Sequence, residues 1–212
     1  MRRPKVPRSP SLSHLESLDP EVRIIGPGTV LWRVYFRSGN HPSNWGEFRT
    51  VGPVDARFDH HLGDERTAQN RGDLYAAIEP VTCFAEAFQQ RRVINRWDRE
   101  PWLVGFEIAA PVPLLDLTGA FPTRAGASMG LMTGPRSVSR EWARAFYASY
   151  PQTCGLRYPS SMYANKPAAV LTDRAQALDA LPPQPSFHRA LGDPAILDFL
   201  KNAARTLGFA LA

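Results

Sequence analysis

Short apolar segments separated by turn-forming residues constrain the fold of this 212-residue chain more than any other feature. They are rich in β-branched and aromatic side chains, which favours strands. None approaches the roughly 18 apolar residues of a membrane-spanning helix. The predicted strands cover residues 29–37, 74–78, 102–108, 113–117, 155–159 and 168–172. The chain is therefore expected to form a sheet-rich domain without a membrane span.

Helical periodicity is confined to fewer segments. Apolar residues recur at i, i+3, i+4 and i+7 over 81–88, which predicts an amphipathic helix. Ser139 is a candidate N-cap for a helix that carries Trp142. A terminal helix over 195–207 has Gly208 as its stop signal. Because strands outnumber helices and do not alternate regularly with them, the predicted fold class is α+β, with mainly β central sheets and flanking helices.

The chain length suits one domain with extensions at both ends. Residues 1–28 are predicted to be a basic, proline-rich arm, and 29–175 the compact domain. Residues 176–212 are predicted to be a linker and a C-terminal helix that packs on the domain or forms an interface. The polar stretch 38–72 is long for a connection in a compact domain, and such connections are usually functional or mobile.

The formal net charge is +5, from 25 Lys and Arg against 20 Asp and Glu. A positive chain points first to an anionic partner: nucleic acid, phospholipid headgroups or a phosphorylated small molecule. Four of the basic residues are Arg2, Arg3, Lys5 and Arg8, and without them the net charge is 5 − 4 = +1. No basic helix or Arg/aromatic repeat is present, which argues against direct nucleic-acid binding.

Other local motifs indicate ordinary structure. The two cysteines lie 71 positions apart, which excludes a disulfide scaffold and argues against a zinc site. His60 and His61 could both ligate a metal, but adjacent residues seldom face one ion, so no metal site is predicted. The segment 126–130 fits a hydrolase nucleophile elbow, but its flanks read as loop. No apolar stretch follows the N-terminal basic residues, so a signal peptide is not expected and the expected compartment is the cytoplasm.

Five segments in a fixed order carry the strongest functional signal. They are LWRVY (31–35), ARFD (56–59), LYAA (74–77), CFAEA (83–87) and GLRYPSS (155–161). Together they resemble the RES domain family, named for its Arg, Glu and Ser. The resemblance covers roughly residues 29–175 and is specific as a combination, although each segment alone is weak.

The resemblance implies a fold similar to that of ADP-ribosyltransferase toxins, and a toxin of a bacterial toxin–antitoxin pair that degrades NAD. Such an enzyme would be an NAD phosphorylase or NAD glycohydrolase that cleaves the nicotinamide–ribose bond, with phosphate or water as acceptor. NAD is then the substrate, inorganic phosphate a candidate co-substrate, and no further cofactor is expected. The expected partner is a helix-turn-helix antitoxin of the Xre type that covers the active site. The oligomeric state stays open, a homo-oligomer included.

Two alternatives remain at this stage. Within the same class, the enzyme could be a mono-ADP-ribosyltransferase that modifies a protein. From another class, the chain could be a nucleic-acid-binding regulator that uses the basic arm.

Glu86 is the candidate for the central catalytic role. Cleavage of a glycosidic bond passes through an oxocarbenium-like state, and a carboxylate beside the sugar can stabilise that charge. Glu86 lies about 140° from Val81 around the predicted helix, which places it off the apolar stripe. Without the resemblance, a solvated surface glutamate would be the simpler interpretation.

The resemblance assigns NAD-binding roles to a small set of other residues. Arg33 and Arg57 are expected to clamp phosphates, since a planar guanidinium suits two oxygens. Tyr75 is expected to stack on nicotinamide or to bind ribose. Ser160 is expected to donate a hydrogen bond to nicotinamide or ribose rather than act as a nucleophile, and Asn165 is a neighbouring polar candidate.

Three features complicate this assignment. Ser161 adjoins Ser160 and could hold its role instead. Asp59 stands where the family usually has Asn, and a carboxylate would repel a pyrophosphate unless it points elsewhere or holds an arginine. The insert over 60–72 is longer than in short family members, which suggests a lid.

Overall fold

The computed structural model describes residues 8–163 and 165–212. The strands of the described residues are β1 (Val22–Ile25), β2 (Val30–Phe36), β3 (Arg49–Gly52), β4 (Thr67–Ala77), β5 (Val93–Ile94), β6 (Pro101–Glu107), β7 (Val112–Asp116), β8 (Gly155–Pro159), β9 (Pro167–Thr172), β10 (Phe187–Ala190) and β11 (Ala210–Leu211). The helices are α1 (Leu12–Glu16), α2 (Pro80–Ala87), α3 (Phe121–Arg124), α4 (Gly130–Thr133), α5 (Arg136–Ser149), α6 (Asp173–Ala177) and α7 (Leu197–Leu207), with a short 3₁₀ turn at Pro194–Ile196.

One nine-stranded sheet organises the molecule. Its strands follow the order β1-β7-β8-β9-β4-β2-β6-β10, and β3 pairs with β4 beside this row. Neighbours run antiparallel except β7 and β8. The predicted α+β class is confirmed, and every predicted strand is present, although the strand predicted at 74–78 begins earlier, at Thr67.

Apolar clusters cover both faces of the sheet. On one face, Trp142 and Phe146 of α5 pack with Val170 of β9. On the other face, Leu74 of β4 packs with Phe106 of β6. The alternation along β4, in which consecutive residues enter opposite clusters, follows from the two-residue period of a strand. No helix among the described residues has the length and apolar character needed to cross a membrane.

The predicted N-terminal arm is wrong for most of its length. α1 lies within it, and β1 pairs antiparallel with β7 as a full member of the sheet. Leu15 is completely buried, and Tyr150 Oη donates a hydrogen bond to its carbonyl oxygen at 2.6 Å. Few apolar side chains of this polar segment are buried, and they hold it against the rest of the domain. Residues 1–7, with three of the four basic residues, lie outside the described part of the chain.

The predicted lid is also wrong, because β4 begins at Thr67 rather than near residue 74. The first half of β4 is polar and largely exposed, so it lacks the apolar residues that predict a strand. This half pairs with β3. His60 and His61 are buried rather than mobile.

The C-terminal region packs on the domain. α7 ends at Gly208, whose φ of 65° is the left-handed conformation expected for a helix stop. Phe199 of α7 lies 5.9 Å from Phe84 of α2 between ring centroids. The predicted linker contains β10, which extends the sheet beyond β6.

A split in the sheet prepares the functional site. β2 and β4 are neighbours but pair only at Trp32 and Ala77. Beyond that pair, β2 follows β6 and β4 follows β9. The two strands therefore separate, and a cleft opens between them.

Candidate active site

The cleft has a volume of about 400 Å³ and is lined by side chains from both separating strands. α2, which follows β4 directly, contributes the remaining wall together with the start of α5. The polar and charged lining residues are Arg33, Asp55, Arg57, Tyr75, Glu86, Gln89, Gln90, Arg99, Arg136 and Ser161. Four of them are arginines, so the cleft is suited to an anionic ligand.

Glu86 lies in the last turn of α2 and faces this cleft. The helix begins at Pro80, a residue suited to a first turn, and buries Phe84 and Ala85 in the core. Burial raises the pKa of Glu86, although a hydrogen bond from Ser160 and the charges of nearby arginines lower it in part. Glu86 is thus a partly desolvated carboxylate rather than a surface side chain.

Ser160 holds Glu86 in place. It follows β8, is fully buried, and donates from Oγ to Glu86 Oε1 at 2.5 Å. Ser160 Oγ also accepts hydrogen bonds from the backbone N–H groups of Met162 at 3.1 Å and Tyr163 at 3.2 Å. Because two donors occupy its lone pairs, the hydroxyl proton is directed to Glu86. Ser161, the alternative, is exposed and lines the cleft wall.

Arg57 is fixed by the chain segment before α5. Its Nη1 donates to the carbonyl oxygens of Leu131 at 2.9 Å and Gly134 at 3.1 Å, and to Ser139 Oγ at 3.0 Å. Burial, together with the charge of Arg136, lowers the pKa of Arg57. The prediction that Ser139 caps α5 is wrong: the helix begins at Arg136, and the Ser139 hydroxyl donates to the carbonyl oxygen of Leu131 in α4.

Arg33 lies on β2 and also lines the cleft. Its Nη1 donates to the carbonyl oxygens of Trp45 at 3.2 Å and Glu47 at 3.1 Å. Burial lowers the pKa of Arg33 to about 10, although the negative charges of Asp73 and Glu47 act to raise it. The guanidinium therefore stays charged at neutral pH.

Tyr75 joins these groups through its ring and its hydroxyl. The side chain lines the cleft, and Oη donates to the carbonyl oxygen of Arg57 at 2.8 Å. Burial raises the pKa of Tyr75 well above its usual value, so the phenol is neutral. Its hydroxyl supports the Arg57 backbone, which leaves the ring as the surface offered to a ligand.

Two sequence expectations meet a different arrangement. Asn165 is exposed, has a φ of 58°, and does not belong to the cleft lining. Asp59 is fully buried and points away from the cleft, toward Arg49 at 3.2 Å and His61 Nδ1 at 2.7 Å. The carboxylate at this position thus holds an arginine other than Arg33 or Arg57.

Arg136 is the cleft residue that sequence reasoning missed. It is the first residue of α5, and Nη1 pairs with Asp55 Oδ2 at 2.7 Å, while its charge acts on both Arg57 and Glu86. The segment before it was expected to be loop, whereas it contains the short helices α3 and α4. No local pattern signals that this arginine folds back onto a helix fifty residues earlier in the chain.

The family follows from a sequence comparison with protein-family models. The model of the RES domain matches residues 30–192, which is most of the chain. This protein belongs to the RES domain family. The predicted membership is confirmed, and the matched region of the RES domain runs from the start of β2 to just beyond β10.

A comparison with solved structures supports the same fold. The crystal structure of the M. tuberculosis MbcT–MbcA toxin–antitoxin complex contains a similar chain, with a TM-score of 0.54 and 16% sequence identity. The similarity covers 84% of this RES protein and 92% of the other chain. At this identity the likeness concerns the fold. A search of curated protein sequences found no significant match.

Proposed function

We propose that this RES protein is a toxin that degrades NAD by cleaving the nicotinamide–ribose bond, with phosphate or water as the acceptor. The observation that carries the proposal is the desolvated Glu86 carboxylate, held by Ser160 in a cleft with four arginines. A carboxylate and several cations in one cleft match a substrate with a cationic reacting centre and anionic phosphates.

The reaction needs charge stabilisation more than a strong base. Nicotinamide leaves with the electron pair of the C–N bond, so the pyridinium becomes neutral and positive charge develops on the ribose. Glu86 opposes that charge, most effectively where water is excluded. A phosphate oxygen or a water oxygen then forms the new bond to the anomeric carbon, and with water a proton is released.

The arginines are proposed to hold the anionic parts of the reactants. Arg33 and Arg57 both line the cleft, and each is anchored through Nη1 to backbone carbonyl oxygens. Arg136 adds a third positive charge close enough to Glu86 to affect its pKa. A pyrophosphate held by these arginines, with room for a free phosphate, suits this distribution. The Tyr75 ring offers a stacking surface to nicotinamide.

The decisive experiment measures NAD loss by purified protein with and without inorganic phosphate. Wild type should consume NAD, and Glu86→Gln should lower kcat about 100-fold or more, as for removal of one transition-state charge partner. Glu107→Gln is the matched control because Glu107 is exposed on β6, away from the cleft. Undiminished turnover in Glu86→Gln would overturn the assignment.

The acceptor is identified in the same assay. Formation of an ADP-ribose phosphate ester that requires added phosphate indicates a phosphorylase, and ADP-ribose formed without it indicates a glycohydrolase. Phosphate-independent transfer of label from NAD to a protein would instead favour a mono-ADP-ribosyltransferase, which the same carboxylate could serve.

An antitoxin partner is proposed on the basis of the comparison structure, a toxin–antitoxin complex. By analogy, a helix-turn-helix antitoxin of the Xre type would cover the cleft of this chain. Co-purified antitoxin should block NAD loss, and wild-type toxin without antitoxin should arrest host growth while Glu86→Gln should not.

A further inference from the structure

A second polar cluster lies behind the cleft, between the β3–β4 connection and β4. It consists of His60, His61 and Asp73, whose exposed fractions are 2%, 0% and 2%. One potential ligand atom from each lies within 4.8 Å of the others. The two histidines are adjacent in sequence, yet their ring centroids are 5.5 Å apart with planes at 42°, and both reach the same aspartate.

The cluster concentrates unpaired buried atoms. His60 Nε2, His61 Nε2 and Asp73 Oδ1 are buried without a hydrogen-bond partner among the described residues. His60 Nε2 has only the Asp173 carboxylate nearby, at 3.5 Å. Leaving a buried polar atom unpaired costs about 1–3 kcal/mol, so three in one place point to an occupant that satisfies them together.

The hydrogen bonds around His61 prepare it as a ligand. Asp59 Oδ1 lies 2.7 Å from His61 Nδ1 and also accepts the His61 backbone N–H at 2.9 Å. An ionised Asp59 therefore receives the Nδ1 proton and leaves a lone pair on Nε2. A carboxylate on the distal nitrogen is the usual support for a metal-ligating histidine.

The carboxylate of Asp73 keeps one oxygen unused. Arg49 contacts both Asp59 and Asp73 through their Oδ2 atoms, which leaves Asp73 Oδ1 free. This oxygen is therefore available to a bound cation. Arg71 and Arg144 bind the backbone carbonyl oxygens of the two histidines and fix the segment from outside the ligand set.

We propose that His60, His61 and Asp73 form a structural site for a divalent transition metal ion of the zinc class. Two imidazole nitrogens and one carboxylate oxygen suit such an ion, with water completing the coordination. The ion would tie the segment that begins with Arg57 to β4, the strand that carries Tyr75. The site is separate from the cleft, and NAD cleavage as proposed does not pass through it.

The test uses the full chain, purified without a histidine tag. Elemental analysis should find one zinc ion per chain. After removal by a chelator, added Co²⁺ should restore one ion per chain, with the visible d–d absorption of a low-coordinate nitrogen and oxygen site, and should raise the melting temperature. Absence of stoichiometric metal and of this absorption would overturn the proposal, and would mean that water satisfies the cluster.

Variants locate the ion. His61→Gln and Asp73→Asn should each abolish the Co²⁺ absorption, whereas His14→Gln, which alters an exposed histidine of α1, should retain it. Asp73→Asn preserves side-chain shape, so it decides the question if His61→Gln does not fold. Absorption retained in Asp73→Asn would place the metal elsewhere and refute the assignment. Loss of metal without loss of NAD turnover would leave the proposed function untouched.

Discussion

Ser160 controls the position and the acidity of the Glu86 carboxylate. Its single proton goes to Glu86 because two backbone N–H groups already occupy the hydroxyl oxygen. This bond lowers a pKa that burial has raised. In the proposed mechanism Ser160 therefore acts through Glu86, as a positioning residue.

A Ser160→Ala variant should shift the acidic limb of the pH–rate profile. In the proposed mechanism Glu86 works as a carboxylate, so activity should rise as the pH passes upward through its pKa. Loss of the hydrogen bond removes a factor that lowers this pKa, so the limb should move to higher pH, and kcat at neutral pH should fall. The measurement is kcat against pH with saturating NAD.

Ser161→Ala is the matched comparison for this profile. Its hydroxyl makes no hydrogen bond to Glu86 within the described part of the chain, so the limb should keep its position whatever happens to kcat. A limb that stays in place in Ser160→Ala, or moves to lower pH, would contradict the role given to Ser160.

Glu86 should also oppose folding stability at neutral pH. Burial raises its folded-state pKa above the unfolded value. Below the unfolded pKa both states bind the proton, and as the pH rises through the folded pKa the native state acquires a desolvated charge and loses stability. Glu86→Gln keeps the shape without the charge, so its melting temperature should exceed that of wild type at about pH 7.5 and equal it near pH 4.

Melting curves at the two pH values test this prediction, with Glu107→Gln unchanged at both because Glu107 is exposed. A lower melting temperature for Glu86→Gln at neutral pH would show that its ionic contacts outweigh desolvation. A gain in stability with a loss of turnover would be the pattern of a functional residue held at a cost to the fold.

The sequence predicted individual site residues better than their contacts. The helical period placed Glu86 off the apolar stripe, and the strand period placed Arg33 and Tyr75 in sheet positions. The partner of Glu86 lies 74 positions away, and Arg136 enters the cleft from a segment expected to be loop. Such long-range pairings depend on how the chain returns to the sheet, and no local pattern encodes them.

At the scale of elements, α7 packs against the side of α2 that faces away from the cleft. Phe84 and Phe88 of the α2 region pack into one cluster with Leu103 of β6 and Leu200 of α7. α2 is therefore held between the sheet and α7. Residues beyond the predicted domain end at 175 thus contribute to the support of the site.

Leu200→Ala should destabilise the protein strongly. Leu200 lies on the buried face of α7 and is completely buried. Removal of such a side chain leaves a cavity that lowers the free energy of unfolding by about 2–5 kcal/mol. Urea denaturation, monitored by tryptophan fluorescence, gives the free energy of unfolding. NAD turnover at a temperature where the variant is folded should fall if the position of α2 is disturbed.

Lys201→Ala is the control on the neighbouring residue. Lys201 is exposed and pairs at 3.0 Å with the exposed Asp198, and such surface pairs contribute about 0–1 kcal/mol. A Leu200→Ala variant as stable as Lys201→Ala would show that α7 is a loosely attached tail rather than part of the fold.

Element prediction succeeded where the side chains of a strand are buried and failed where they are largely exposed. The strand at 155–159 was predicted with its observed bounds, because its side chains face the core on both sides. β1, β3 and the first half of β4 have largely exposed side chains, so their strand conformation comes from backbone pairing with neighbours. Pairing of this kind depends on the assembled sheet.

At the scale of the whole molecule, the positive charge divides between two places. Arg2, Arg3, Lys5 and Arg8 account for four of the five net charges. The four arginines of the cleft are instead offset only in part, by the lining carboxylates of Asp55 and Glu86. The net charge therefore says little about the cleft, whose specificity depends on where each guanidinium is anchored.

Deletion of residues 1–8 should separate these two sets of charges. The deletion lowers the net charge from +5 to +1 by removing the four basic residues, and among the described residues, which start at 8, the cleft lining begins at Arg33. NAD turnover should therefore keep its kcat and KM. Affinity for duplex DNA should be weak in the full chain, fall with salt with a log–log slope no steeper than about −4, and disappear in the deletion. Tight DNA binding that survives the deletion, or turnover that is lost with it, would instead favour a regulator that reads nucleic acid, since phosphate contacts would then have to come from the folded domain.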